Sequence, residues 1–102
     1  MFDSLKKLFR RSSANAEQLL NNGAVVVDVR TPFEFKNGHL AGSRNIPLDA
    51  LPDKIGELKK LNKTIITVCR SGSRSSMAKD MLAAAGVDAY NGGAWTNFKT
   101  AG

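Results

Sequence analysis

The stretch TIITVCRSGSRS, residues 64–75, decides the fold of this chain. Its first five residues, Thr-Ile-Ile-Thr-Val, are all β-branched, which is typical of a strand. Small and basic residues follow Cys69, and apolar residues then recur at helical spacing from about Ser73 to Ala85, with Gly86 as the stop. The stretch therefore predicts a strand, a short loop and a helix, with Cys69 directly after the strand.

The rest of the chain continues this alternation. The predicted elements are, in order, a helix over 13–22, a strand over 24–29, a helical turn over 31–35, a helix over 53–61, a last strand over 87–90 and a final helix from about Ala94. Such alternation favours an α/β domain, a three-layer α/β/α fold with a mostly parallel central sheet. Ligands of such sheets bind beyond the carboxyl ends of the strands, which is where Cys69 is predicted to lie.

The composition indicates one globular domain. The chain has 102 residues, 42% of them hydrophobic, which suffices for a core without disulfides or a structural metal. Cys69 is the only cysteine and His39 the only histidine, so neither a disulfide framework nor a Cys/His metal cluster can form within one chain. An unpaired thiol suits a reducing compartment, and we expect a cytoplasmic location. No apolar run exceeds five residues, whereas crossing a bilayer takes roughly 20.

The positive charge is concentrated near the amino end. Residues 1–11 hold four basic side chains and one acidic one, in a chain of formal net charge +6. We expect a basic N-terminal extension over residues 1–12 and a single domain over residues 13–102. The bases interrupt and follow the apolar residues of the extension, so it does not resemble an export signal. A plain helical extension is favoured over membrane contact, and the remaining charge is too small to indicate nucleic-acid binding.

The loop that begins at Cys69 has the composition of an anion site. Small residues let successive N–H groups turn inward, and the helix N-terminus that follows adds to the same field. The pKa of a free cysteine, about 8.5, falls to roughly 3.5–7.5 beside arginines or at a helix N-terminus. A single cysteine that ends a strand is most often a core residue. Arg70 and Arg74 serve no core purpose, so a reactive thiolate is the favoured interpretation.

Two other cysteine chemistries are disfavoured. A Cys–His protease needs an imidazole beside the thiol, but His39 lies between Gly38 and Gly42 in an irregular connection, where a structural histidine bonded to backbone is expected. No Cys-x-x-Cys is present, which excludes dithiol redox cycling within one chain.

Five segments in order resemble the rhodanese family of sulfurtransferases over roughly residues 13–102. They are Asp-Val-Arg at 28–30, Glu-Phe at 34–35, GHLAGSRNIP at 38–47, the loop at 69–74 and Gly-Gly at 92–93. Two departures concern the aromatic residues after the paired glycines. Trp95 comes earlier than the family's tryptophan, and Phe98 falls nearer the expected position. We expect both to form pocket wall or core.

The resemblance implies a sulfurtransferase in which Cys69 is the nucleophile. Its thiolate would take sulfur from a small anionic donor such as thiosulfate, and cyanide or a thiol such as glutathione or a reduced thioredoxin would remove it. No metal or organic cofactor is implied. The implied loop residues are Arg70, Ser71, Gly72, Ser73 and Arg74, and the supporting residues are Asp28, Arg30 and Glu34. Arg70 would bind the donor, and Arg74 would brace the loop against Glu34 or Asp28.

Other functions stay open at this point. Phosphatases and arsenate reductases of the same fold family place five residues between the cysteine and an arginine, whereas Arg74 follows Cys69 after four. The shorter loop favours a sulfur atom over an oxyanion. A persulfide carrier and a non-catalytic binding module also remain, although the presence of Cys69 disfavours the binding module.

Overall fold

Four parallel strands form the centre of the structure, a computed structural model that describes residues 13–98. The helices and strands are α1 (Ser13–Asn21), β1 (Val25–Asp28), α2 (Pro32–Lys36), β2 (Arg44–Asn45), α3 (Leu51–Lys60), β3 (Ile65–Cys69), α4 (Ser73–Ala84) and β4 (Ala89–Ala94). Short 3-10 helices cover Leu48–Ala50 and Trp95–Asn97. The basic extension expected over residues 1–12 lies outside the described residues.

The strand order is β2-β1-β3-β4, and every pairing is parallel. The central pair runs in register from Val25 opposite Ile65 to Asp28 opposite Val68. Because all strands point the same way, the residues at their carboxyl ends share one edge of the sheet. Asp28, Asn45 and Cys69 meet at this edge, and Cys69 is the last residue of β3 rather than the first residue after it.

Side chains that alternate along β1 and β3 fill two separate cores. One face of the sheet packs under α3 and α4 and includes Val27, Ile65 and Cys69. The other packs against α1 and Phe98 and includes Val26 and Ile66. All five residues of β3 are buried, which suits the β-branched side chains of its first four residues, Ile65 to Val68. The predicted three-layer α/β fold is confirmed.

The structure differs from the predicted elements at several places. The two-residue strand β2 was missed, since so short a segment carries no alternation. The helix predicted over 53–61 begins at Leu51, because Pro52 fits the first turn of a helix. The final helix predicted from about Ala94 is only the 3-10 helix at 95–97 within the described residues, and Ala94 itself ends β4.

A bulge in β4 shapes the sheet edge beside the loop. Thr67 pairs with Asn91 and Val68 with Gly93, so Gly92 is the extra residue. A Cβ at Gly92 would lie 2.8 Å from the Ile66 Cγ2 atom, which explains a glycine there. The predicted last strand over 87–90 was placed too early, because two glycines hide the strand pattern of its second half.

Within residues 13–98, no helix has the length and apolar character needed to cross a membrane. The same part of the chain holds no cluster of histidine, cysteine and carboxylate side chains suited to a metal ion.

Candidate active site

Cys69 lies at the junction of β3 and α4, and its side chain is fully buried. The next residues, Arg70 and Ser71, are exposed, and Gly72 is the N-cap of α4. The sulfur therefore sits beneath the N-terminus of a twelve-residue helix, whose free N–H groups favour negative charge. The sequence placed Cys69 in the loop after the strand, whereas its side chain is buried at the end of β3.

The loop turns its backbone donors toward the sulfur. The Gly72 N–H donates to Sγ of Cys69 at 2.9 Å, and the Ser75 N–H donates to it at 3.4 Å. The Ser75 hydroxyl oxygen lies 3.3 Å from the same sulfur. Burial by itself raises the pKa of the thiol, but the Ser75 hydroxyl and the N–H groups of Ser75, Gly72 and Ser71 outweigh it, and the Cys69 pKa lies below its ordinary value. The site favours a thiolate.

Gly72 is the residue that allows this turn. Its φ is +102°, in the left-handed region that other residues rarely adopt. Behind it, the Thr67 hydroxyl donates to the Ser75 carbonyl at 2.7 Å and fastens the first turn of α4 to β3. Strand, loop and helix are thereby held at a fixed spacing around the sulfur.

The two arginines of the loop occupy different surroundings. Arg74 donates to both carboxylate oxygens of Glu34, at 2.8 and 3.0 Å. The hydrogen bond from Arg74 is the main reason that the pKa of Glu34 falls from its ordinary 4.5 to about 2, and the same hydrogen bond raises the pKa of Arg74. Of the two carboxylates considered from the sequence, Glu34 is the one that Arg74 binds. Arg70, in contrast, is exposed to solvent.

Asp28 and Arg30 form a buried ion pair at the end of β1. The Arg30 guanidinium donates to Asp28 at 2.7 Å, to the Gly38 carbonyl at 2.8 Å, and lies 4.7 Å from the centre of a Trp95 ring. The Asn45 side chain donates to the carbonyls of Asp28 and Arg30, at 3.0 and 2.9 Å. These contacts fix the segment after β1 that carries Glu34.

A cleft of about 450 Å³ opens beside the loop. Its lining includes Arg30, Phe33, Asn37, Arg70, Trp95 and Thr96. Phe33 is 75% exposed at its rim, so the cleft combines aromatic walls with a cation. Trp95 forms pocket wall, as expected, whereas Phe98 is buried in the core on the α1 side.

Three further residues considered from the sequence, His39, Ser71 and Ser73, do not contact the sulfur through their side chains. Nδ1 of His39 lies 2.8 Å from the Phe35 carbonyl, and its ring stacks on Phe35 at 3.7 Å between centroids, which agrees with the structural role expected for it. Ser71 and Ser73 are exposed, and the Ser71 contribution to the site is its backbone N–H.

Two polar residues near the sulfur were not predicted. Ser75 is fully buried, and its hydroxyl donates to the Asn91 side-chain oxygen at 2.6 Å. From the sequence, Ser75 was only the last residue of the quoted stretch and was assigned no role. Its position in the first turn of the helix that follows Cys69 could have indicated that its side chain lies near the sulfur. Asn91 carried no such signal, because its place beside the loop depends on the pairing of β4 with β3, where it lies opposite Thr67.

A buried cysteine ringed by N–H donors, between a parallel strand and a helix, defines a cysteine-loop α/β domain. The family model of the rhodanese-like domain matches residues 12–101. The chain therefore belongs to the rhodanese-like domain family. A rhodanese-like domain protein from Staphylococcus aureus superposes with a TM-score of 0.74 at 29% identity, covering 89% of this chain and 91% of that one.

Relatives of similar sequence have been named for an activity. The protein called thiosulfate sulfurtransferase GlpE in Stutzerimonas stutzeri is 40% identical over 67 residues, which are 66% of this chain and 61% of that protein. The protein of the same name in Ectopseudomonas mendocina is 40% identical over 77 residues, which are 76% of this chain and 70% of that protein. The chain thus matches about three fifths of the length of the first relative.

Proposed function

We propose that this protein is a sulfurtransferase that carries a sulfane sulfur as a persulfide on Cys69. The observation that carries the proposal is the convergence of the Gly72 and Ser75 N–H groups on the buried sulfur, at 2.9 and 3.4 Å. Donors fixed in this way stabilise negative charge on sulfur without reorganising. The names of the two relatives at 40% identity support the same activity.

In the first step, the Cys69 thiolate attacks the outer sulfur of a small anionic donor such as thiosulfate. A bond forms between Sγ and that sulfur, the sulfur–sulfur bond of the donor breaks, and its electron pair leaves with sulfite. The product is a persulfide anion on Cys69. Because Arg70 is exposed at the cleft, it is the residue we assign to binding the donor's charge.

In the second step, an acceptor attacks the outer sulfur of the persulfide. Cyanide leaves as thiocyanate, and a thiolate, such as that of glutathione or a thioredoxin-like protein, leaves as its own persulfide. The electron pair of the broken bond returns to Sγ and regenerates the thiolate, so neither step needs a metal or an organic cofactor. The lone thiol must stay reduced between turnovers, and a cytoplasmic setting is part of the proposal.

The position of Arg74 disfavours phosphate or arsenate chemistry. The phosphatases of this fold family place five residues between the cysteine and an arginine, whereas Arg74 follows Cys69 after four and its guanidinium is bound to Glu34 through two hydrogen bonds. A persulfide carrier uses the same loop and is the second candidate. Because Cys69 is fully buried, donor and acceptor reach the sulfur only when the residues over it move apart, in either candidate.

The test is sulfur loading followed by intact mass. Wild type and Cys69→Ser are incubated with thiosulfate, and wild type alone is expected to gain the mass of one sulfur atom. Cyanide is then added and thiocyanate is measured, with an aryl phosphate in parallel. Phosphate release without loading would contradict the proposal. Loading followed by slow thiocyanate formation and fast transfer to a reduced thioredoxin would identify the carrier.

A further inference from the structure

Ser75 contacts the reacting sulfur but has no part in the steps above. Its side chain is fully buried, and its hydroxyl oxygen lies 3.3 Å from Sγ of Cys69, 3.0 Å from the Gly72 carbonyl oxygen and 2.6 Å from Oδ1 of Asn91. A serine hydroxyl has one proton and can donate to only one neighbour at a time. Three neighbours therefore compete for a single donor.

The two competing oxygens have other donors. Oδ1 of Asn91 also accepts from the Gly93 N–H at 2.9 Å. The Gly72 carbonyl also accepts from the Ser76 N–H at 3.0 Å and from Nδ2 of Asn91 at 3.3 Å. When the Ser75 hydroxyl turns away, neither oxygen is left without a partner, so the usual cost of a buried unpaired group does not arise.

We propose that Ser75 is a rotating hydrogen-bond donor to the Cys69 sulfur and that Asn91 is the positioning residue that holds the hydroxyl beside it. In the thiol form, the S–H donates to the Ser75 oxygen while the hydroxyl donates to Oδ1 of Asn91. When the thiol proton leaves to solvent, the hydroxyl rotates and donates to the thiolate. Ser75 keeps its own proton throughout.

Rotation stabilises the charged form selectively. A hydrogen bond to a charged acceptor is roughly twice as strong as one between neutral groups. The same bond forms whenever Sγ carries charge, which includes the moment when an acceptor removes the outer sulfur and Sγ becomes the leaving group. The inference rests on the proposed sulfurtransferase function and adds to it the residue pair that sets the charge on the nucleophile.

The experiment is a pH titration of the thiolate's ultraviolet absorbance. Cys69 is the only cysteine, so subtracting the titration of Cys69→Ser isolates its signal. Ser75→Ala is expected to lower the acid dissociation constant of the thiol about tenfold, and Asn91→Ala about threefold. Ser76→Ala, one residue along the same helix, is the matched control and should leave it unchanged. Ser75→Thr keeps the hydroxyl, so its acid dissociation constant for the thiol should lie close to that of wild type.

The inference is overturned if Ser75→Ala moves the dissociation constant no further than Ser76→Ala does. Circular dichroism and thermal unfolding show whether each variant is folded, and if Ser75→Ala is not, the same criterion applies to Asn91→Ala. The titration needs no sulfur donor, so it is independent of the loading experiment. If thiosulfate does not load the wild type, the sulfur-transfer function is contradicted. If Ser75→Ala nevertheless shifts the titration of the thiol, the role of Ser75 as a rotating hydrogen-bond donor is supported.

Discussion

The carboxyl ends of β1 and β3 lie side by side at one edge of the sheet, and both bury polar groups. At the end of β1, Asp28 and Arg30 neutralise each other, with a shortest contact of 2.7 Å. At the end of β3, Cys69 is surrounded by N–H and O–H donors, and its nearest arginine in sequence is exposed. The first end is electrostatically complete, whereas the second has capacity for an extra negative charge. The first strand end is structural, and we propose that the second is the reactive one.

The largest effect on stability is expected at the structural end. Asp28→Asn removes one partner of the buried pair and leaves the Arg30 charge uncompensated, which should lower the free energy of unfolding by about 3–5 kcal/mol. Urea denaturation measures this change. Asp49→Asn, at an exposed carboxylate, is the control and should change stability by less than about 0.5 kcal/mol. Equal losses in the two variants would show that the two strand ends do not differ as described.

Cys69→Ser should change stability little but abolish sulfur loading, the reverse of Asp28→Asn, whose main effect is on stability. A serine hydroxyl can accept the same N–H donors, so we expect the free energy of unfolding to change by about 1 kcal/mol or less. Sulfur loading should disappear completely, because the nucleophile is gone. Urea denaturation and intact mass test the two halves of this prediction. A stability loss as large as that of Asp28→Asn would assign Cys69 a structural role.

The brace between Glu34 and Arg74 should contribute less than the buried pair, since both side chains are partly exposed. Glu34→Gln is expected to lower the free energy of unfolding by about 1 kcal/mol at neutral pH. The folded-state pKa of Glu34 is depressed to about 2, so its contribution is complete above 4.5 and is lost as the pH falls toward 2. The difference between wild type and Glu34→Gln should therefore vanish at acid pH in parallel urea titrations.

Arg70→Ala should leave stability within about 0.5 kcal/mol of wild type, because the residue is exposed. The thiosulfate concentration for half-maximal loading should rise about tenfold, with little change in loading at saturation. Lys60→Ala removes an exposed charge at the end of α3 and is the control. Half-saturation at the same concentration in both variants would contradict the assigned role of Arg70.

Two predictions from the sequence depended on local pattern and agree with the structure. Four of the five β-branched residues before Cys69, Ile65 to Val68, form a buried strand together with Cys69. The small residues after it, with Gly72 at φ +102°, form the turn into α4. Boundaries were less accurate, because glycines in β4 and Pro52 in α3 obscure the periodicity at element ends.

The covering of the thiol could not be predicted in this way. The sequence predicted a reactive thiolate in the loop after the strand, but Cys69 is the last residue of β3 and is fully buried, because it packs in the core under α3 and α4. Ser75 and Asn91 are 16 residues apart, and the pairing of β4 with β3, which places Asn91 opposite Thr67, brings their side chains to 2.6 Å. Such a contact depends on strand register, and a local pattern carries no information about it.

The amino-acid sequence alone determined that a strand, a cysteine loop and a helix follow one another. The spacing of apolar residues and the positions of glycines set local structure within a few residues. Only the packed molecule decided that Arg74 binds Glu34, that Arg30 is neutralised by Asp28 and that Asn91 reaches Ser75. These partners are chosen by which side chains the parallel sheet brings to the same edge, and by the burial there that makes an unpaired charge costly.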